Sequence, residues 1–228
     1  MIEKLHVGSE RLGLVLSPEQ YGMLETYIDC VLEFNKTYNL MKADSADELA
    51  VNHVLDSLAA VPALKEIVAQ YEARNSALDG TQSVVPVKIG DIGSGGGCPG
   101  IPLAVAFPSV SFTLVERMEK RCAFLESALK KTGIVNAKVL CSQADTVAAA
   151  SFDVEVFRAF HPFDKKIVKT LFAMLKKGGT IAAYKARSEK IEAEMEAVHS
   201  MIPDYKKIAL TVPFLEDHER NLVVVKKI

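Results

Sequence analysis

The sequence predicts an α/β protein: a seven-stranded, mostly parallel sheet with its last strand antiparallel, preceded by a helical N-terminal extension. Three observations carry this. From Val84 onward, short apolar runs alternate with helical runs, which calls for a parallel sheet with right-handed crossovers and helices on both faces. The last two strand-like runs are separated only by residues 214–220, too few for a parallel crossover, so the final strand must reverse. Upstream of residue 75 the chain carries helical periodicity alone.

Taken in order, Ser17-Pro18-Glu19-Gln20 supplies an N-cap, a first-turn proline and an early acid. A helix over residues 18–35 follows, with Tyr21, Leu24, Tyr27, Ile28, Val31, Leu32 and Phe34 on the 3.6-residue period. A second helix is expected over 46–58 and a third over 63–71. Residues 74–82 are polar and turn-rich, hence a linker. The expected division is a helical extension over 1–75 packed on a core domain over 76–228. Strands are expected at 87–92, 111–116, 137–142, 152–157, 179–185, 207–212 and 221–227. Helices are expected at 101–107, 117–132, 164–176 and 188–199.

Bulk properties set limits. The 228 residues suit one α/β domain with an appendage. No apolar run reaches the roughly 20 residues of a membrane span, and the first residues lack signal-peptide order, so a cytoplasmic protein is expected. Cys30, Cys98, Cys122 and Cys141 show no metal-ligand spacing, and no metal site is expected; reduced buried thiols are. The net charge of −2 hides an asymmetry. Residues 1–86 hold 6 basic and 13 acidic side chains, whereas 87–228 hold 21 and 16. The basic half is compatible with a polyanionic substrate.

That half also contains the main functional signal, Val87 to Pro102. It reads strand, glycine-dense turn, then helix, which places a nucleotide-like ligand at the helix N-terminus. Glu116 ends the next apolar run, at the distance where an acid meets ribose hydroxyls. The glycines Gly93, Gly95 and Gly97 follow G-x-G-x-G; the third position of the dinucleotide fingerprint falls on Cys98 instead. This spacing favours S-adenosyl-L-methionine over a nicotinamide cofactor, and with the reversed last strand it counts against the alternative of an NAD-dependent oxidoreductase. The layout is that of class I methyltransferases with a Rossmann-like fold.

Pieces spread over residues 18–190 resemble the RsmG (GidB) family of 16S ribosomal RNA methyltransferases. They are Asn35 to Leu40, His53 to Leu58, Asp91 to Ala104, Lys120 to Leu125, and Arg158-Ala159-Phe160. The chain departs from the family at Met41, at Gln143 (where the family usually has Arg) and at Tyr184-Lys185-Ala186-Arg187, where Arg187 is a nearby source of charge. The resemblance implies methyl transfer from S-adenosyl-L-methionine to N7 of one guanosine of the small ribosomal subunit, by an enzyme expected to be a monomer. A catalytically silent RNA-binding or cofactor-sensing protein is a further alternative, and methylation of a small molecule is a third, disfavoured by the RNA-family motifs in the N-terminal helices.

The sulfonium is already an activated methyl donor and guanine N7 has a free lone pair, so no general base is expected. The protein supplies proximity and alignment. Asp91 is expected to contact the methionine ammonium or to bond turn amides. Gly93, Gly95 and Gly97 admit the ligand, with the Cys98 amide facing it, and Glu116 accepts from the ribose. Ala144 and Asp145 are implied at the adenine. Arg158 is expected against the methionine carboxylate or the target nucleotide, and Lys185 and Arg187 against phosphates. Lys120 and Arg121 are candidates for an RNA track. His53 and Asp56, three apart on one helix face, are read as organising the junction between the N-terminal helices and the cofactor mouth.

Overall fold

The computed structural model describes residues 1–79 and 85–227, with the backbone alone for 76–79. Helix α1 (Glu3–Arg11) precedes α2 (Pro18–Asn35). The predicted capping box starts α2: Gln20 N donates to Ser17 Oγ, and Ser17 N donates back to Gln20 Oε1 at 2.8 Å. Helix α3 (Ala46–Leu49) runs through a π-helical stretch, Ala50–Leu55, into α4 (Asp56–Leu58), and α5 (Val61–Asp79) follows.

The rest alternates strand and helix. The strands are β1 (Lys88–Ile92), β2 (Ser111–Glu116), β3 (Ala137–Cys141), β4 (Phe152–Arg158), β5 (Leu175–Lys185), β6 (Lys206–Ala209) and β7 (Asn221–Lys226). Between them lie α6 (Gly100–Ala106), α7 (Glu119–Thr132), α8 (Lys165–Met174) and α9 (Ser188–Ala197). The seven strands form one sheet in the order β3-β2-β1-β4-β5-β7-β6. β7 pairs antiparallel with both β5 and β6, so it alone is reversed, as the short connection required.

Order reverses at β1 and β4, which opens a crevice at the carboxyl edge of the sheet. One sheet face shares a continuous apolar core with α1, α2, α5, α6 and α7; its buried members run from Leu5 through Ile28, Leu58 and Leu64 to Leu114, Val156 and Leu222. The other face packs Phe152, Phe157 and Ile181 under α8 and α9.

Several expectations are corrected. Helix α1 was not foreseen; Leu5 and Gly8 are buried in it, Gly8 against Leu55, so tertiary contact stabilises a segment of weak periodicity. The residues read as a linker from 74 are helical to Asp79, and 80–82 lie outside the described residues. The expected boundary at 75 therefore falls inside α5. β5 starts at Leu175 rather than Gly179, because a register shift between Phe152 and Val154 lets Phe152 pair with Leu175. The edge strand β6 stops at Ala209. Cys122 and Cys141, expected as thiols, form a disulfide with Cα atoms 5.7 Å apart. β2–β3 pairing sets Cys141 beside Glu116, and the first turn of α7 brings Cys122 back over that point. Cys30 and Cys98 are free and buried. No helix among the described residues is long and apolar enough to cross a membrane.

Candidate active site

Two cavities open at the carboxyl edge of the sheet and share one wall. The first, about 380 Å³, lies beyond the ends of β1, β2 and β3 and is lined by Gly93, Glu116, Arg121, Gln143, Ala144 and Asp145 among others. Glu116 is almost wholly buried and its carboxylate is held by backbone. Its Oε1 accepts from the amides of Arg117 and Met118, each at 2.9 Å, and its Oε2 accepts from Gly95 N at 2.9 Å. Oε1 is thus filled, while Oε2 keeps a lone pair for a further donor. Gly93 takes φ +72°, and a Cβ there would meet the Phe160 ring at 2.4 Å, so the position admits only glycine. The described residues fit a nucleoside ligand in this cavity. A ribose donor would fall to Glu116 Oε2 and an adenine amine to the rim at Ala144 and Asp145.

Behind the turn, the Asp91 carboxylate is fully buried. Its Oδ2 accepts from the Ser94 hydroxyl at 2.6 Å and from Gly100 N at 3.0 Å, while Oδ1 has no partner. Burial pushes its pKa up to about 6, against these two bonds. Asp91 therefore ties the strand end to the start of α6. Bonding within the turn, one of its two expected roles, is directly visible, and Asp91 is not among the residues lining this cavity.

The second cavity, about 540 Å³, is lined by Asn52, His53, Asp56, Arg158, Tyr184, Lys185 and Arg220 among others. At its centre Asp56 takes two guanidinium groups: Arg158 Nη1 donates to Oδ2 at 2.7 Å and Arg220 Nε to Oδ1 at 2.9 Å. Arg158 Nη1 also donates to the Asn52 carbonyl at 3.0 Å, and Nη2 meets His53 Nδ1 at 2.7 Å. Guanidinium can only donate, so Nδ1 accepts and the ring hydrogen sits on Nε2, which faces the Lys42 carbonyl at 3.3 Å. His53 is therefore neutral, and burial followed by the Arg158 charge lowers its pKa. The π-helical stretch carries Asn52 and His53, so its irregular turn aims a carbonyl and an imidazole at one guanidinium. Two arginines on one carboxylate leave this cavity with a surplus positive charge.

The shared wall is Ala159, Phe160 and His161, which line both cavities. Ala159 is held at φ +53°, a strained value for a residue with a Cβ. Phe160 and His161 contact edge to face at 4.7 Å.

The remaining predicted residues divide. Gly95 bonds Glu116, and at Gly97 (φ +102°) a Cβ would collide with Ile101 and crowd Leu125. The Cys98 side chain is turned into the core, 3.3 Å from the Tyr27 hydroxyl, and burial pushes its thiol up. Arg158 faces the second cavity and not the first, because Asp56 and His53 claim its guanidinium. Lys185 lines the second cavity but is engaged by Glu194 at 2.6 Å and lies over the Phe163 ring. Arg121 lines the first cavity, 3.9 Å from Glu116. Lys120 sits over the Tyr38 ring at 4.9 Å. Arg187 is exposed and lines neither cavity, so it does not supply the charge absent at Gln143. Arg220, Asn52 and His161 were missed. A signal for Arg220 existed: in a reversed last strand, the residue before Asn221 sits at the edge where parallel strands end.

The comparisons decide the family. The model described as rRNA small subunit methyltransferase G (GidB) matches residues 20–223. The chain belongs to that family. It is accordingly an S-adenosyl-L-methionine-dependent ribosomal RNA methyltransferase with a Rossmann-like α/β fold. A relative named ribosomal RNA small subunit methyltransferase G from Treponema denticola is 36% identical over 218 residues, covering 90% of this chain and 85% of its own. A protein of the same name from Cupriavidus necator is 33% identical, covering 98% and 94%. Among solved structures, a predicted O-methyltransferase from Agrobacterium tumefaciens superposes with a TM-score of 0.51 at 19% identity, over 64% of this chain and 76% of that one. A tRNA methyltransferase, TrmI, from Aquifex aeolicus gives 0.50 at 14% identity, over 62% of each chain. These two likenesses speak to fold alone.

Proposed function

We propose that this chain transfers a methyl group from S-adenosyl-L-methionine to N7 of a guanosine in 16S ribosomal RNA. The observation that supports this reading most is the meeting of two unlike cavities at Ala159–His161. One is rimmed by Glu116 and Asp145, which suit a neutral-faced nucleoside with hydroxyl and amine donors. The other carries the surplus positive charge of Arg158 and Arg220 over Asp56, which suits a nucleotide with its phosphate. The bound cofactor supplies an electrophilic methyl group, and guanine N7 needs no proton removed. The work of the chain is then positional: Glu116 fixes the ribose, Asp145 and Ala144 the adenine, and Arg158 the entering nucleotide. Extruding the base from its stack favours an unpaired loop as the target. We further infer that the helices ahead of β1, through the end of α5, act as an extension on the methyltransferase core, and that the enzyme works in the cytoplasm as a monomer.

The test is radiolabelled methyl transfer to small subunits from a strain lacking this protein, followed by mapping of the label. Label on N7 of one guanosine is expected. Label on another atom, or none, would overturn the reading.

A further inference from the structure

Beyond the two cavities, the turn that ends α2 presents an aromatic surface that the chemistry described so far does not use. Asn35 builds this turn: its Oδ1 accepts from the amides of Leu40 (3.0 Å) and Met41 (3.2 Å), and its Nδ2 donates to the Met41 carbonyl at 2.7 Å. Tyr38 N donates to the Phe34 carbonyl at 2.9 Å, and Leu40 N to the Tyr38 carbonyl at 2.8 Å. The turn is seated on the glycine-rich loop. Met41 lies so close to Gly96 that a Cβ there would come within 2.5 Å of its sulfur, and Tyr27 donates to the Gly96 carbonyl at 2.7 Å.

This rigid turn holds Tyr38 outward, 45% exposed. Its ring meets Phe34 at 5.0 Å, Phe34 meets Phe124 at 4.9 Å, and the Lys120 ammonium stands 4.9 Å from the Tyr38 centroid. The three rings border a cleft of about 280 Å³ between α2 and α7, which Glu33, Thr37, Ser127 and Lys131 also line. Of the exposed lysines on these helices, Lys131 lines the cleft, Lys130 precedes it at the end of α7, and Lys36 pairs at 2.6 Å with the cleft residue Glu33. Lys120 precedes Arg121, which lines the cofactor cavity, so the surface adjoins the active mouth. A preorganised exposed ring with ammonium groups beside it matches how unpaired nucleobases and their phosphates are held without sequence readout.

We propose that Tyr38, backed by Phe34 and Phe124 and flanked by Lys120 and Lys131, is a stacking platform for an unpaired base of the substrate RNA outside the acceptor cavity. The proposal rests on small-subunit ribosomal RNA being the substrate. The platform holds the RNA while a different nucleotide enters the Arg158 cavity, so it acts on substrate affinity and not on the transfer step.

Three full-length proteins test it: wild type, Tyr38→Ala and Tyr38→Phe. Tyr38→Ala is expected to weaken binding to small-subunit particles and to raise KM for them about tenfold, with kcat, S-adenosylhomocysteine affinity and melting temperature unchanged. Tyr38→Phe keeps the ring and is expected within twofold of wild type. A photoreactive phenylalanine analogue at position 38 should crosslink to 16S ribosomal RNA. Wild-type affinity in Tyr38→Ala, equal loss in Tyr38→Phe, or a crosslink to a ribosomal protein would overturn the platform. Binding and crosslinking are read without turnover. Failure of the wild type to methylate N7 would therefore strike the proposed reaction, while the platform stands or falls on its own two measurements.

Discussion

The two cavities at the sheet edge are built by different means. In the cavity proposed for the cofactor, the Glu116 carboxylate is held by three backbone amides from two neighbouring turns. In the cavity proposed for the acceptor nucleotide, a charged network joins side chains from the N-terminal helices, the end of β4 and the start of β7: His53, Asp56, Arg158 and Arg220. Main-chain geometry holds the first site, so it should tolerate change in the surrounding side chains. The second is a set of mutually dependent charges, and removing one strands the others. Loss of a member of this network should therefore cost stability as well as activity, while loss of Glu116, whose three partners are backbone amides, should act chiefly on cofactor binding.

The largest effect is expected for Asp56→Ala. It leaves two partly buried guanidinium groups without their carboxylate, which typically costs about 3–5 kcal/mol. Denaturant unfolding should show the loss, and methyl transfer should fall with it. An unchanged unfolding midpoint would mean that the network is not a structural unit. Next comes Glu116→Ala, expected to weaken S-adenosylhomocysteine binding in calorimetry by at least tenfold, about 1.4 kcal/mol, while particle binding persists. Equal weakening of both would erase the contrast between the cavities.

A smaller effect is expected from pH. His53 has a lowered pKa, so it binds fewer protons folded than unfolded. Its contribution is present at neutral pH and is lost as pH falls from the ordinary histidine range through its folded pKa. Protonation would set an imidazolium against Arg158. Transfer should decline on the acid side, and His53→Gln should flatten that limb of the profile. A limb that survives this substitution would assign it elsewhere, with Asp91 next in line.

The smallest effect lies away from both sites. Glu155 is buried in β4 with neither carboxyl oxygen bonded, and burial raises its pKa well above the usual range. A raised folded pKa means stability is greatest at low pH and falls as pH rises through the carboxylate range toward the folded value. Glu155→Gln should stabilise the protein at neutral pH by on the order of 1 kcal/mol, with no change in either ligand. No gain in melting temperature would show that the carboxyl finds a partner in solution.

These differences also explain what was legible in advance. Glu116, Ala144, Asp145 and Gly93 fall on one cavity because each lies at a strand end, and strand ends can be located from alternation alone. The Arg158 contacts were not legible in this way. The sequence shows an arginine ending a strand and a His-Asp pair on a distant helix, with nothing to state that Asn52, His53 and Asp56 would claim the guanidinium. Lys185 likewise reads as a free cation until Glu194, nine residues on, returns beside it on α9.

By itself the sequence determined the sheet and its single reversed strand, the capped helix at Pro18, the glycine turn with its acid, and the family. All of these follow from local periodicity, turn chemistry and contiguous motifs. Only the tertiary structure decided that α1 forms, that the Cys98 thiol packs into the core beside Tyr27 while Asp91 bonds the turn, and that the Asn35 turn docks on the glycine loop. It alone paired Arg158 and Arg220 on Asp56. These outcomes depend on which side chains meet across long stretches of chain, as Tyr27 with Gly96 and Asp56 with Arg220 do. Competition for a shared partner or a buried space is settled only when the elements pack.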